Sequence, residues 1–105
     1  MTVDLNSVVA QSADAAGMHA PVPTLVLELQ ALLGTLSANV AASTNRGRQP
    51  FRPTADWTGR LGELGYGMYL LADATGVDLA AAVTATAQRV ADSARPKADS
   101  AFFDA

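Results

Sequence analysis

The chain has 105 residues, with seven lysines and arginines against ten aspartates and glutamates for a formal charge of −3, and it contains no cysteine. That length makes one domain with a modest core, for which a partner subunit is a natural source of further burial. The missing cysteines exclude a disulfide scaffold, a zinc–thiolate site, an iron–sulfur cluster and thiol catalysis, and the mild acidity argues against a nucleic-acid binder. Residues 1–10 hold no basic region followed by an apolar run, and the apolar-rich stretch 64–74 falls short of the roughly 20 residues that a span requires. A cytoplasmic protein without membrane contact is therefore expected.

Alanine makes up roughly a fifth of the chain, and the period-2 runs of β-branched and aromatic residues that mark strands are missing. The expected fold is all-α: four antiparallel helices completed by subunit association, in one domain over residues 1–95 with a loosely ordered tail at 96–105. Asp4 caps a first helix that carries Leu5, Val8, Val9 and Ser12 inward and stops near Ala16, with Gly17 as the left-handed residue beyond it. Residues 18–23 contain Pro21 and Pro23 and read as a connector, after which Thr24 caps a second helix over 25–42. Leu25, Leu29, Leu32, Leu36 and Val40 form its core-facing stripe, while Val26, Leu27 and Leu33 widen the apolar surface nearly all round. A helix with so little polar surface predicts a subunit interface.

Residues 43–53 form a polar loop holding three of the seven basic residues, Arg46, Arg48 and Arg52. Arginine offers a planar donor fork to phosphate oxygens, so the loop reads either as a phosphate-binding arm or as a solvated connection. Thr54 caps a third helix with Trp57, Leu61, Leu64, Met68 and Leu71 inward, running to about Thr75, with Gly76 as its left-handed stop. Asp78 caps a fourth, with Leu79, Val83, Ala87 and Val90 inward, whose pattern decays after Ser93 into a tail bearing Phe102 and Phe103.

Only two glutamates exist, Glu28 and Glu63, each inside an apolar helix. Burying an unpaired carboxylate costs several kcal/mol, so each calls for a cation, a metal or a donor. Arg60, one turn before Glu63, is the nearest partner on the same helix, and a divalent-metal or phosphate site between the second and third helices is the alternative. Gly59, Gly62, Gly65 and Gly67 each weaken the third helix by roughly 0.8–1 kcal/mol relative to alanine, which predicts either close helix packing or a surface that a ligand approaches. The string GRLGELGYG has neither a preceding strand nor a following Lys-Ser/Thr and is not a phosphate-binding loop. His19 stands alone in the connector as a surface residue, and no nucleophilic triad can be assembled.

Residues 60–83, R-L-G-E-L-G-Y-G-M-Y-L-L-A-D-A-T-G-V-D-L-A-A-A-V, resemble the MazG-like all-α nucleotide pyrophosphohydrolases, whose third helix reads E-L-x-D-V-L-x-Y-L before L-A-x-x-x-G-I/V-D-L-x-x-A-V. Residues 25–32, L-V-L-E-L-Q-A-L, are similar to that family's L-x-E-E-x-x-E-L helix. The resemblance implies a MazG-like bundle, a homodimer or homotetramer, and a site in which carboxylates from two helices hold Mg²⁺ for cleavage of a nucleoside triphosphate to the monophosphate and pyrophosphate. Carried over by position, Glu28 and Glu63 are the catalytic and metal-binding carboxylates, while Arg46, Arg48, Arg52 and Arg60 are the phosphate contacts. Leu27 and Ala31 stand where acids would, Arg60 replaces the leading acid of the second motif, and Thr86 and Val90 occupy the basic and amide positions of the fourth helix. Two of five acids remain, which implies lost or weak catalysis. The competing expectation is a non-enzymatic interaction or oligomerisation module using the second helix and the Phe102-Phe103 tail.

Overall fold

The structure is a computed structural model that describes residues 4–103, with side chains described over 4–94. Four helices follow one another, α1 (Leu5–Ala16), α2 (Val22–Ser43), α3 (Trp57–Ala74) and α4 (Leu79–Phe103), with no strand among the described residues. The all-α expectation holds.

α1 begins and ends where its capping residues dictate. The Asp4 carboxylate accepts from the Asn6 backbone N–H at 3.1 Å and from the Ser7 hydroxyl at 2.8 Å, and Gly17 adopts φ +67° to close the C-terminus. Only Val9 and Ala13 of α1 are buried, so the expected inward placement of Leu5 and Val8 is corrected: both are exposed. Ser12 is exposed too, and it shares a 3.0 Å hydrogen bond with the Tyr66 hydroxyl of α3.

α2 starts at Val22, three residues before the expected start, and Pro21 rather than Thr24 occupies the N-cap position. A proline in the first turn costs nothing there, because those N–H groups have no intrahelical acceptor, so Pro23 sits inside the helix rather than in the connector. The stripe is as expected: Leu25 is buried to 3% exposure, and Leu29, Leu32, Leu36 and Val40 are half-buried along the same face. Val26 and Leu33, which border this stripe, and Leu27, on the far side of the helix, are exposed. α2 is also long and apolar enough to cross a membrane by length and composition, with Glu28 its one charged residue, which corrects the expectation that no stretch approaches that length. α2 reaches this length because single polar residues are interspersed among its apolar ones.

The loop after α2 is closed on itself. The buried Thr44 donates its hydroxyl to the Val40 carbonyl at 2.8 Å and accepts from the Gly47 N–H at 3.1 Å, while the Gln49 N–H returns to the Thr44 carbonyl at 2.9 Å. This turn holds Asn45, Arg46 and Gly47 in succession at positive φ. α3 begins at Trp57, not beside Thr54: the Trp57 N–H bonds the Thr54 carbonyl in a turn, and Asp56 at the N-cap makes no side-chain cap. The Trp57 ring packs edge-on against Phe51 at 4.8 Å between centroids.

The core lies where α1, α2 and α3 meet. Val9, Ala13, Leu25 and Leu70 form it, with Ala20, Tyr66, Tyr69 and Leu71 against them. Within α3 the inner positions differ from the expected stripe, since Leu61 and Met68 are exposed whereas Leu70 and Ala72 are buried. α3 touches α2 on one side and α1 on the other, so its inner surface is a broad arc through Tyr66, Tyr69 and Leu70 rather than one line.

α3 ends at Ala74, with Gly76 at φ +70°, and the chain bends by 108° into α4. The Asp78 carboxylate caps α4 by accepting from the Ala81 N–H at 3.0 Å. Asn6 of α1 clasps this corner, donating to Asp78 at 2.7 Å and accepting from the Leu79 N–H at 3.2 Å. Beyond its first turn α4 stands clear: every residue from 81 to 94 is exposed, which overturns the inward placement of Val83, Ala87 and Val90. α4 is assigned through Phe103, past the expected end near Ser93, and the docking of the Phe102 and Phe103 rings lies outside the described residues.

Candidate functional site

Glu28 and Glu63 line one cleft between α2 and α3, of about 410 Å³. Leu25, Leu29 and Leu32 from α2, and Tyr66 and Leu70 from α3, form its walls, and Met18 from the connector lies at its edge. The helices approach closely at Gly67: a Cβ placed there would stand 2.9 Å from the Leu29 Cδ2 atom and 3.5 Å from the Leu32 Cδ1 atom. Gly62, one turn earlier, faces open space and lines the cleft. Close packing is thus true of Gly67 alone, and Gly59, Gly62 and Gly65, where an added Cβ meets nothing within 4 Å, do not form the expected smooth packing strip.

The carboxylates are not sequestered. Glu28 is exposed, and the Glu63 side chain keeps 54% of its surface in water. Standing at the rim of an apolar cleft spares each the desolvation cost that burial would impose. Arg60 Nη1 lies 3.8 Å from Glu63 Oε2, the expected pairing at i, i+3. Arg60 itself lines a shallow depression with Ala55, Asp56, Gly59 and Glu63, so Glu63 stands between the cleft and its own counter-ion. With both side chains partly solvated the pair contributes little to stability.

Arg46, Arg48 and Arg52 do not join this cleft. The loop begins 16 residues after Glu28, which along a helix is ~24 Å. His19 is exposed and meets the Asp14 carboxylate at 2.5 Å, an ordinary surface contact. Thr86 and Val90 are exposed on α4 and line no part of the cleft.

Among the described residues no three histidines, cysteines or acids gather into a metal-binding group. The donor set of the cleft is two carboxylates, one of them paired with Arg60. Mg²⁺ prefers six oxygen ligands and can be held by one or two carboxylates when phosphates supply the others, so this set fits an ion that arrives with phosphates and does not fit one held by the protein alone. Tyr66 and Leu70 are cleft residues of α3 that the expected stripe did not include. Glu63, Tyr66, Gly67 and Leu70 lie at i, i+3, i+4 and i+7, a second periodic face of α3 that the stripe from Trp57 to Leu71 obscured.

Compared with protein-family models, curated proteins and solved structures, the chain gives no match.

Proposed function

We propose that the chain is a MazG-like helical protein related to the nucleoside triphosphate pyrophosphohydrolases, with a cleft between α2 and α3 that is a reduced nucleotide site of weak or no catalytic power. The observation that carries this reading is that Glu28 and Glu63, the only two glutamates, line one cleft from two different helices. Their carboxylates would meet a Mg²⁺ ion brought by a triphosphate; such an ion neutralises phosphate charge and activates water. Arg60 opposes that ion while it points at Glu63 and serves as a phosphate contact once it swings away. At an effective dielectric near 20, a unit charge about 4 Å from a divalent ion is opposed by roughly 8 kcal/mol, so its position decides between the two roles.

Calorimetry with Mg²⁺ and a panel of nucleoside triphosphates tests the reading. The expected result is weak binding of the Mg²⁺–nucleotide complex that is lost in Glu63→Ala, together with a gain of Mg²⁺ affinity in Arg60→Glu. Absence of both effects would sink it. The non-enzymatic alternative is favoured by the apolar surface that α2 and α4 leave uncovered, and it requires the full chain to be indifferent to Mg²⁺ and nucleotides alike.

A further inference from the structure

The three arginines that the α2–α3 cleft leaves unused lie together in the loop between those helices. Residues 29–62 hold four arginines and a single acid, Asp56, whereas the rest of the chain holds three bases against nine acids. Arg60 is taken up by Glu63, but Arg46, Arg48 and Arg52 are exposed and form no ion pair among the described residues. A cationic patch on an otherwise acidic chain turns that end of the molecule towards an anionic partner.

The loop does not hang free. The Thr44 hydroxyl accepts from the Gly47 N–H, the Arg46 N–H bonds the Ala41 carbonyl at 2.8 Å, and Arg46 is held at φ +59°, a left-handed conformation that L side chains rarely adopt. Arg46 and Arg48 thus belong to a fixed turn. Ala41 also lines, with Leu36, Ser37 and Val40, an apolar depression of about 330 Å³ in the last turns of α2. Phe51, between Arg48 and Arg52 in the chain, is 37% exposed and packs against Trp57, the only tryptophan.

We propose that this end of the molecule docks on an anionic phospholipid surface. Arg46, Arg48 and Arg52 meet the phosphates, while the Phe51–Trp57 pair and the depression beside Ala41 meet the boundary between headgroups and acyl chains, the layer in which tryptophan rings settle. The expectation of no membrane contact rested on the lack of a span, and a surface contact needs none. A single strand of nucleic acid fits less well, because successive bases stack on open ring faces and here the two rings pack on one another. The inference is independent of any chemistry in the α2–α3 cleft.

The test uses the full chain with vesicles of phosphatidylcholine alone or with phosphatidylglycerol added. With the anionic vesicles the chain should float and the Trp57 emission should shift to the blue, both effects fading as salt rises from about 0.05 to 0.5 M. Phosphatidylcholine alone should give neither. Each arginine near the surface is worth a factor of about five, so Arg46→Gln/Arg48→Gln/Arg52→Gln should lower the vesicle partition coefficient on the order of 100-fold. Asp56 makes no side-chain cap, and Asp56→Asn should raise the coefficient about threefold to fivefold, a gain that no misfolded variant would mimic. Equal binding to both vesicle types, or anionic binding that the triple variant retains, would overturn the proposal. So would inorganic phosphate shifting the Trp57 emission as far as vesicles do, or single-stranded RNA bound through the same arginines while vesicles are ignored.

Discussion

Asp4 shows how much one side chain can settle. Its carboxylate accepts from the Ser7 hydroxyl, and this bond, outweighing desolvation and helped by those from Asn6, holds its pKa below the ordinary value of 3.8. A carboxyl whose folded pKa is depressed contributes its stabilisation fully above the unfolded value and loses it as pH falls through the folded one. The helicity of α1 is therefore expected to be constant from pH 7 to about 5 and to decline below about pH 4. Asn is as good an N-cap as Asp, so Asp4→Asn should keep α1 while flattening that decline, which circular dichroism across the acid range would read. The two glutamates were equally conspicuous in the sequence as lone acids on apolar helices. What could not be read there was their exposure, because a cleft rim offers a carboxylate both an apolar neighbour and water, and neither composition nor spacing distinguishes a rim from an interior.

Among the elements, those defined by local chemistry were legible and those defined by neighbours were not. The bounds of α1, the stop of α3 at Gly76 and the start of α4 after Asp78 follow from side-chain caps and left-handed glycines, which act within four residues. The inner face of α3 depends on which helices flank it, and its glycines show the difference. Gly65→Ala replaces a helical glycine where an added methyl meets nothing within 4 Å, so it should stabilise the protein by about 0.5–1 kcal/mol. Gly67→Ala gains the same propensity but drives a methyl group to 2.9 Å from the end of the Leu29 side chain, and the overpacking should cancel or reverse the gain, at about 1 kcal/mol or more. Chemical denaturation of the two variants side by side measures this contrast. A larger loss in Gly65→Ala than in Gly67→Ala would mean that α3 is rotated from the position described.

At the scale of the molecule, the governing fact is how little one chain buries. Val9, Ala13, Leu25, Leu70 and Ala72 are its buried apolar residues among those described, and of these only the small Ala13 is fully enclosed. If a second copy completes the core, unfolding and dissociation are one event and the melting temperature depends on protein concentration; tenfold dilution should lower it by roughly 3 °C. Differential scanning calorimetry over two decades of concentration would show the slope, and a melting temperature independent of concentration would contradict shared burial. By itself the sequence determined that the chain is helical, where most of its helices stop, that Leu25 to Val40 form a core stripe, and that Glu28 and Glu63 are its unusual acids, since propensity, capping and periodicity are local properties carried by residues within a few turns of one another. Only the tertiary structure decided that the two acids share a cleft open to water, that the arginine loop lies away from it, and that the stripe of α4 faces nothing among the described residues. Those outcomes depend on the angles at which helices meet, and here the 108° bend between α3 and α4 set the last of them.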